Sequence, residues 1–221
     1  MSLNGFGAFS AIIRGYFTSQ LLYFYLHNNN NCHHFSQESD FSKDELIDFC
    51  YSQKKLHPKS LQRSNRGGWH SPIFNINEEN PVSIHLRKGL SQSVFTTLKQ
   101  HLKVNVEYWI MINGANCYNA GHTHPNSDLS GVFWIKTPKN SGNLKFINPS
   151  NFSAYVEIKS YVDKFKSDTN VHEAYGYTPK RGKMITFPSH VTHEVSMNES
   201  KKDRIAVSYN ITLSGWDDGD E

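Results

Sequence analysis

VNVEYWIMINGANCYNAGHTHPNSDLSGVFWI, residues 104–135, is the stretch on which the fold turns. Its opening sets Val104, Val106, Tyr108 and Ile110 on alternate positions, the period of a strand with one buried face. Similar short apolar runs recur at 131–135, 144–147, 184–187 and 205–213, with turn residues between them. Strands at this spacing predict a mainly β sandwich or barrel with helices packed on its outside.

The first half reads differently. Ser42 precedes Lys43, Asp44 and Glu45, an S-x-x-E start signal that predicts a helix over 42–52. Leu90, Val94, Leu98 and Leu102 recur every four residues and predict a second, amphipathic helix over 90–102. RSNRGGWHS, 63–71, is a structured loop in which Gly67 and Gly68 make the turn and Trp69 anchors it by packing. The aromatic run 16–27 reads as β structure closed by the asparagine tract 28–31. Segment 155–167 fits helix and strand equally, and it is the candidate for an inserted flap over the site.

A chain of 221 residues suffices for one well-buried core. Its 23 basic and 20 acidic residues are interspersed, which gives no basic face for nucleic acid. Three cysteines without close pairing indicate neither a disulfide framework nor a zinc knuckle and point to a reducing, cytoplasmic setting. The apolar stretch 6–26 imitates a membrane segment, but Gly7, Gly15, Ser19 and Gln20 interrupt it, and it is read as strands of the core. No membrane association is therefore expected, and the composition is compatible with a homodimer.

Chemistry concentrates in Gly121-His122-Thr123-His124-Pro125. Two histidines one residue apart on extended backbone point to the same side, so both imidazoles can reach one metal ion. A third candidate, His193, stands in FPSHVTHEV at 187–195. Taken alone, the His-x-His pair could equally be an exposed pair without a ligand role. Eleven residues after His193, Arg204 opens an alternation of Arg204, Ala206, Ser208 and Asn210 against Ile205, Val207, Tyr209 and Ile211. An inward arginine here needs an anion, and its planar fork suits a small dicarboxylic acid, with Ser208 adding a hydrogen bond. The competing reading turns Arg204 to solvent, paired with Asp203 or Glu199.

SNRGGWHS at 64–71 with the preceding arginine, HTHPNSDLSGVFW at 122–134, SGNLKFINPS at 141–150, FPSHVTHEV and RIAVSYN at 204–210 together resemble the Fe(II)/2-oxoglutarate-dependent oxygenases, in their prolyl-hydroxylase-like branch. The resemblance implies a double-stranded β-helix (a jelly-roll, cupin-like core) over 104–214, supported by N-terminal strands and helices over 1–103, in a single oxygenase domain spanning 1–221. It implies Fe(II) held by His122, His124 and His193, with 2-oxoglutarate as co-substrate bound through Arg204 and Ser208, and dioxygen as oxidant. The family's usual second ligand is a carboxylate, so Asp128 is an alternative to His124. An aromatic hydroxyl often assists the co-substrate, but the matching strand position holds Trp134. Tyr118 on the preceding strand could take that part, and Asn113 and Asn210 are further hydrogen-bonding candidates. The implied reaction hydroxylates an unidentified substrate and releases succinate and CO2.

Two readings of other classes compete with it. A cupin-like protein could hold a metal for structure or sensing without oxygenase activity, though Arg204 would then lack a purpose. An interaction module that has lost its metal would leave the histidines as ordinary polar residues.

Overall fold

The computed structural model describes residues 42–91, 102–147 and 174–216. The expected strands at 16–27, the apolar stretch 6–26 and the candidate flap 155–167 lie outside the described residues. Of the second expected helix, 92–101 lie outside them as well.

Helix α1 (Lys43–Leu56) starts where the S-x-x-E signal places it and runs one turn beyond the expected end. Ser42 and Glu45 exchange side-chain to backbone hydrogen bonds, Asp44 and Glu45 stand in the first turn, and Lys54 and Lys55 in the last, matching the helix dipole at both ends. Helix α2 (Pro81–Leu90) ends where the second helix was expected to begin. Its start signal is Asn80-Pro81: the Asn80 side chain accepts from Ser83 N, and proline fills the first turn, where no amide partner is needed. Leu102 belongs to a strand, so its four-residue spacing from Leu98 does not mark one continuous helix.

Among the described residues eleven strands, three of them between the helices and eight after, form two antiparallel sheets: β1 (Asn65–Arg66), β2 (Trp69–His70), β3 (Phe74–Asn75), β4 (Leu102–Asn113), β5 (Tyr118–His122), β6 (Leu129–Lys136), β7 (Leu144–Ile147), β8 (Ala174–Tyr177), β9 (Met184–Pro188), β10 (His193–Val195) and β11 (Arg204–Trp216). One sheet has the order β1-β5-β10-β7-β8 and the other β2-β4-β11-β6-β9, with β3 added beside β4. From β4 onward the chain passes repeatedly from one sheet to the other, which is the double-stranded β-helix winding of a jelly roll. The loop 63–71 resolves into β1 and β2, which join different sheets across Gly67 and Gly68, both at positive φ. Trp69 is core, 2% exposed, and its indole donates to the His57 carbonyl.

The alternation on β11 is realised as read. Ile205, Val207, Tyr209 and Ile211 are fully buried among Val106, Ile110 and Phe133 under the two helices, each aliphatic side chain contributing about 1.5–3 kcal/mol. The other face of the same sheet looks into the space between the sheets. Gly131 on β6 has no room for more: a Cβ there would meet the Tyr209 ring and hydroxyl and the Ile185 carbonyl. Gly131→Ala is expected to cost about 1–3 kcal/mol in chemical denaturation by overpacking. Gly176→Ala, with open space at its Cβ, is the matched control.

Candidate metal centre

His122 is the last residue of β5, His124 stands two residues on in the connecting loop, and His193 opens β10. Antiparallel pairing sets His193 directly opposite His122. The His124 amide donates to the Ser189 carbonyl at 2.9 Å, which ties its loop to the end of β9. One ligand atom from each of the three imidazoles lies within 4.8 Å of the other two.

The free nitrogens follow from the hydrogen bonds. His122 Nδ1 is 2.8 Å from the Ala120 carbonyl and His193 Nδ1 is 2.9 Å from the Val191 carbonyl. A carbonyl only accepts, so both Nδ1 atoms carry the proton and Nε2 keeps its lone pair. His124 is held by a side chain instead, that of Asn210. Ser130 Oγ donates to Asn210 Oδ1 at 2.9 Å and lies 2.8 Å from Ser189 Oγ, so two strand side chains and one from the turn after β9 stand behind this one ring. Burial depresses all three pKa values, and neighbouring histidines lower two of them further, to about 4 for His124 and about 3 for His193. The donor set at neutral pH is therefore three uncharged imidazoles, which suits a mononuclear transition-metal ion such as iron.

Aromatic rings pack along the site. Trp109 stacks on His124 at 5.7 Å and on His70 at 5.6 Å, and Phe187 meets His193 edge-on at 4.7 Å. Asn210→Ala is expected to lower metal affinity roughly 10- to 100-fold in competition with a chelator, because His124 alone loses its orienting partner.

The histidines open into a cavity of about 830 Å³ between the sheets. Arg204 lines it and is 3% exposed. Its Nη1 donates to the carbonyls of Ser141 and Ser196, and burial holds its pKa down, to about 10. Among the described residues no carboxylate pairs with it, and Asp203 accepts from the Tyr51 hydroxyl at 2.9 Å instead. A buried guanidinium satisfied only by carbonyls keeps its charge unmatched, an arrangement that favours an incoming anion.

Asn113, 1% exposed, is the register partner of Arg204, and its Oδ1 has no hydrogen-bond partner. Ser208 and Trp134 also line the cavity, Trp134 stacking on Tyr177 at 5.2 Å. Two candidates are placed elsewhere. Asp128 is exposed, and its carboxylate accepts from Leu213 N at 2.7 Å, outside the histidine group. Tyr118 is 38% exposed and does not line the cavity. Counting in twos from His122 aligns it with Tyr118, but a register shift where β5 meets β10 turns Asn119 inward in its place. Sequence reading missed Trp109, His70 and Ser130. Trp109 had a signal: it is the one aromatic among Asn105, Glu107, Met111 and Asn113 on the cavity face of β4.

Residues 107–210 match the family described as "Putative 2OG-Fe(II) oxygenase". No curated protein sequence matches the chain. Among solved structures, the fold is similar to a Pseudomonas putida prolyl-4-hydroxylase (TM-score 0.55, 13% identity, covering 81% of this chain and 91% of that one). It is also similar to a Trichoplax adhaerens prolyl hydroxylase solved with a hypoxia inducible factor peptide (TM-score 0.55, 11% identity, 96% and 94%). A third likeness is to the carbocyclase SnoK of nogalamycin biosynthesis (TM-score 0.52, 12% identity, 78% and 76%).

Proposed function

We infer that this chain, which over residues 107–210 belongs to the 2OG-Fe(II) oxygenase family, holds its iron with His122, His124 and His193 and its co-substrate with Arg204. The chain is an Fe(II)- and 2-oxoglutarate-dependent dioxygenase. One observation carries the residue assignment: three imidazoles with ligand atoms within 4.8 Å of one another share a cavity with a buried guanidinium that no described carboxylate pairs.

Iron with 2-oxoglutarate supplies the oxidising chemistry: dioxygen is consumed, 2-oxoglutarate becomes succinate and CO2, and one oxygen atom goes to the substrate. The protein's part is binding and orientation. Arg204 offers its fork to the distal carboxylate, with Asn113 and Ser208 as hydrogen-bonding neighbours and Trp134 as a wall. Carbonyls of Ala120 and Val191 and the Asn210 amide hold the three rings in a fixed pose, so little reorganisation is needed when the ion binds. Apolar Val132, Phe187 and Ala206 beside these groups lower the local polarity and strengthen the charged contacts.

We take 1–221 as a single domain acting on 2-oxoglutarate and one further substrate. The free thiols among the described residues, buried Cys50 and half-buried Cys117, favour the reducing cytoplasm. No helix of the described residues is long and apolar enough to cross a membrane. The test is anaerobic: Fe(II) and 2-oxoglutarate together should give a visible absorption band that neither gives alone, and admitting air should release succinate. A protein loaded with Fe(II) that shows neither is not this enzyme.

A further inference from the structure

Arg204 is not the only guanidinium of the cavity. Arg63 and Arg66 line it at the surface, both exposed, on the segment that leads through β1. Asn65 pairs with Asn119, and Ala120 N donates to the Ser64 carbonyl, so Arg63 runs alongside the end of β5 that carries His122. Arg63 is also close enough to His70 to oppose its protonation. Both side chains are anchored on backbone alone: Arg66 Nη1 donates to the carbonyls of Arg63 and Asn65 at 3.2 and 3.1 Å, and Arg63 Nη1 to that of Gln62 at 3.3 Å. Among the described residues no carboxylate pairs with either.

Charge balance then speaks about what enters. The charged lining consists of Arg63, Arg66 and Arg204 against the single carboxylate of Glu107, a net +2. Three neutral histidines leave a divalent ion's two charges uncompensated, where a carboxylate ligand would cancel one. Bound 2-oxoglutarate removes two charges, and the cavity stays positive. Glu107 stands on β4 opposite Asn210, whereas the arginines occupy the β1 lip, so the positive field is concentrated on that lip.

We propose that the primary substrate carries an oxyanion, a carboxylate or a phosphate, docked between Arg63 and Arg66 while 2-oxoglutarate occupies the Arg204 end. The proposal rests on the oxygenase reading and adds to it the substrate class and two specificity-determining residues. Two guanidiniums on one lip of the cavity, neither paired with a carboxylate among the described residues, can share the charge of an anion, and their planar forks suit bidentate oxyanions.

The test uses the full chain loaded with Mn(II) and saturated with 2-oxoglutarate, with inorganic phosphate and acetate as separate probes followed by paramagnetic relaxation of their 31P and 1H signals. At least one probe should show saturable relaxation enhancement, and the one that binds more tightly identifies the group. In the Arg63→Gln/Arg66→Gln variant its affinity should fall roughly tenfold while 2-oxoglutarate affinity holds. No saturable enhancement in the unaltered protein overturns the proposal, as does equal enhancement in the variant. Loss of 2-oxoglutarate affinity in the variant also overturns it, because the pair would then serve the co-substrate. Binding of 2-oxoglutarate by the unaltered protein is measured first; its failure sinks the oxygenase reading separately, before any probe is added.

Discussion

Arg204→Ala loses 2-oxoglutarate. The guanidinium is 3% exposed and lines a cavity in which no described carboxylate pairs with it, so its removal takes away the proposed partner of the co-substrate's distal carboxylate. Truncating one side of a buried, hydrogen-bonded charge pair costs about 2–5 kcal/mol, a factor of roughly thirty to several thousand in affinity. The anaerobic titration with Fe(II) reads this directly. Arg204→Lys keeps the charge without the planar fork and is expected to fall between the two. Gly142→Ala offers an independent route to the same loss. Gly142 has φ +84°, and a Cβ there would collide with the Ser196 carbonyl, one of the two that hold Arg204 Nη1. If 2-oxoglutarate affinity survives Arg204→Ala with the fold intact, the co-substrate lies elsewhere in the cavity.

Iron should leave with His124 and stay without Asp128. His124 contributes one of three mutually close ligand atoms, while the Asp128 carboxylate is engaged by the Leu213 amide at 2.7 Å. Each ligand of a protein metal site is worth about 3 kcal/mol when the total is divided among its members, so His124→Ala is expected to weaken Fe(II) binding by more than roughly a hundredfold. Asp128→Ala should leave metal affinity unchanged and loosen only the end of β11. The reverse pattern in a chelator competition would make Asp128 the ligand and His124 a lining residue. His124→Asp restores the more usual carboxylate, and it is expected to retain iron while lowering the charge of the cavity by one.

The winding of the sheets was legible because a strand with one buried face writes its geometry in steps of two. On β11 that alternation separated the cavity face from the core face residue by residue, and on β4 it did the same, with Trp109 the one aromatic on the cavity side. The start of α1 was legible because both capping hydrogen bonds are local. What failed depended on partners distant in sequence. Tyr118, a candidate for the co-substrate, stands outside the cavity where a register shift against β10 brings Asn119 to its wall, and the carboxylate of Asp128, the alternative to His124, is engaged by the amide of Leu213 on β11. Of the helix expected over 90–102 only the ends fall among the described residues: Leu90 closes α2, which begins at the Asn80-Pro81 entry, and Leu102 opens β4.

The Gly67-Gly68 crossing bears on how the two halves of the site respond to force. His122 and His193 sit in one sheet and Arg204 in the other, and β1 and β2 are stitched to opposite sheets with only these two residues between them. The crossing is the shortest of the described connections between the two walls, so it leaves them the least freedom to slide where β1 meets β2. Lengthening it should weaken the co-substrate, which must bridge both walls, more than the ion, two of whose three proposed ligands share one wall. One change would then pull the two affinities apart.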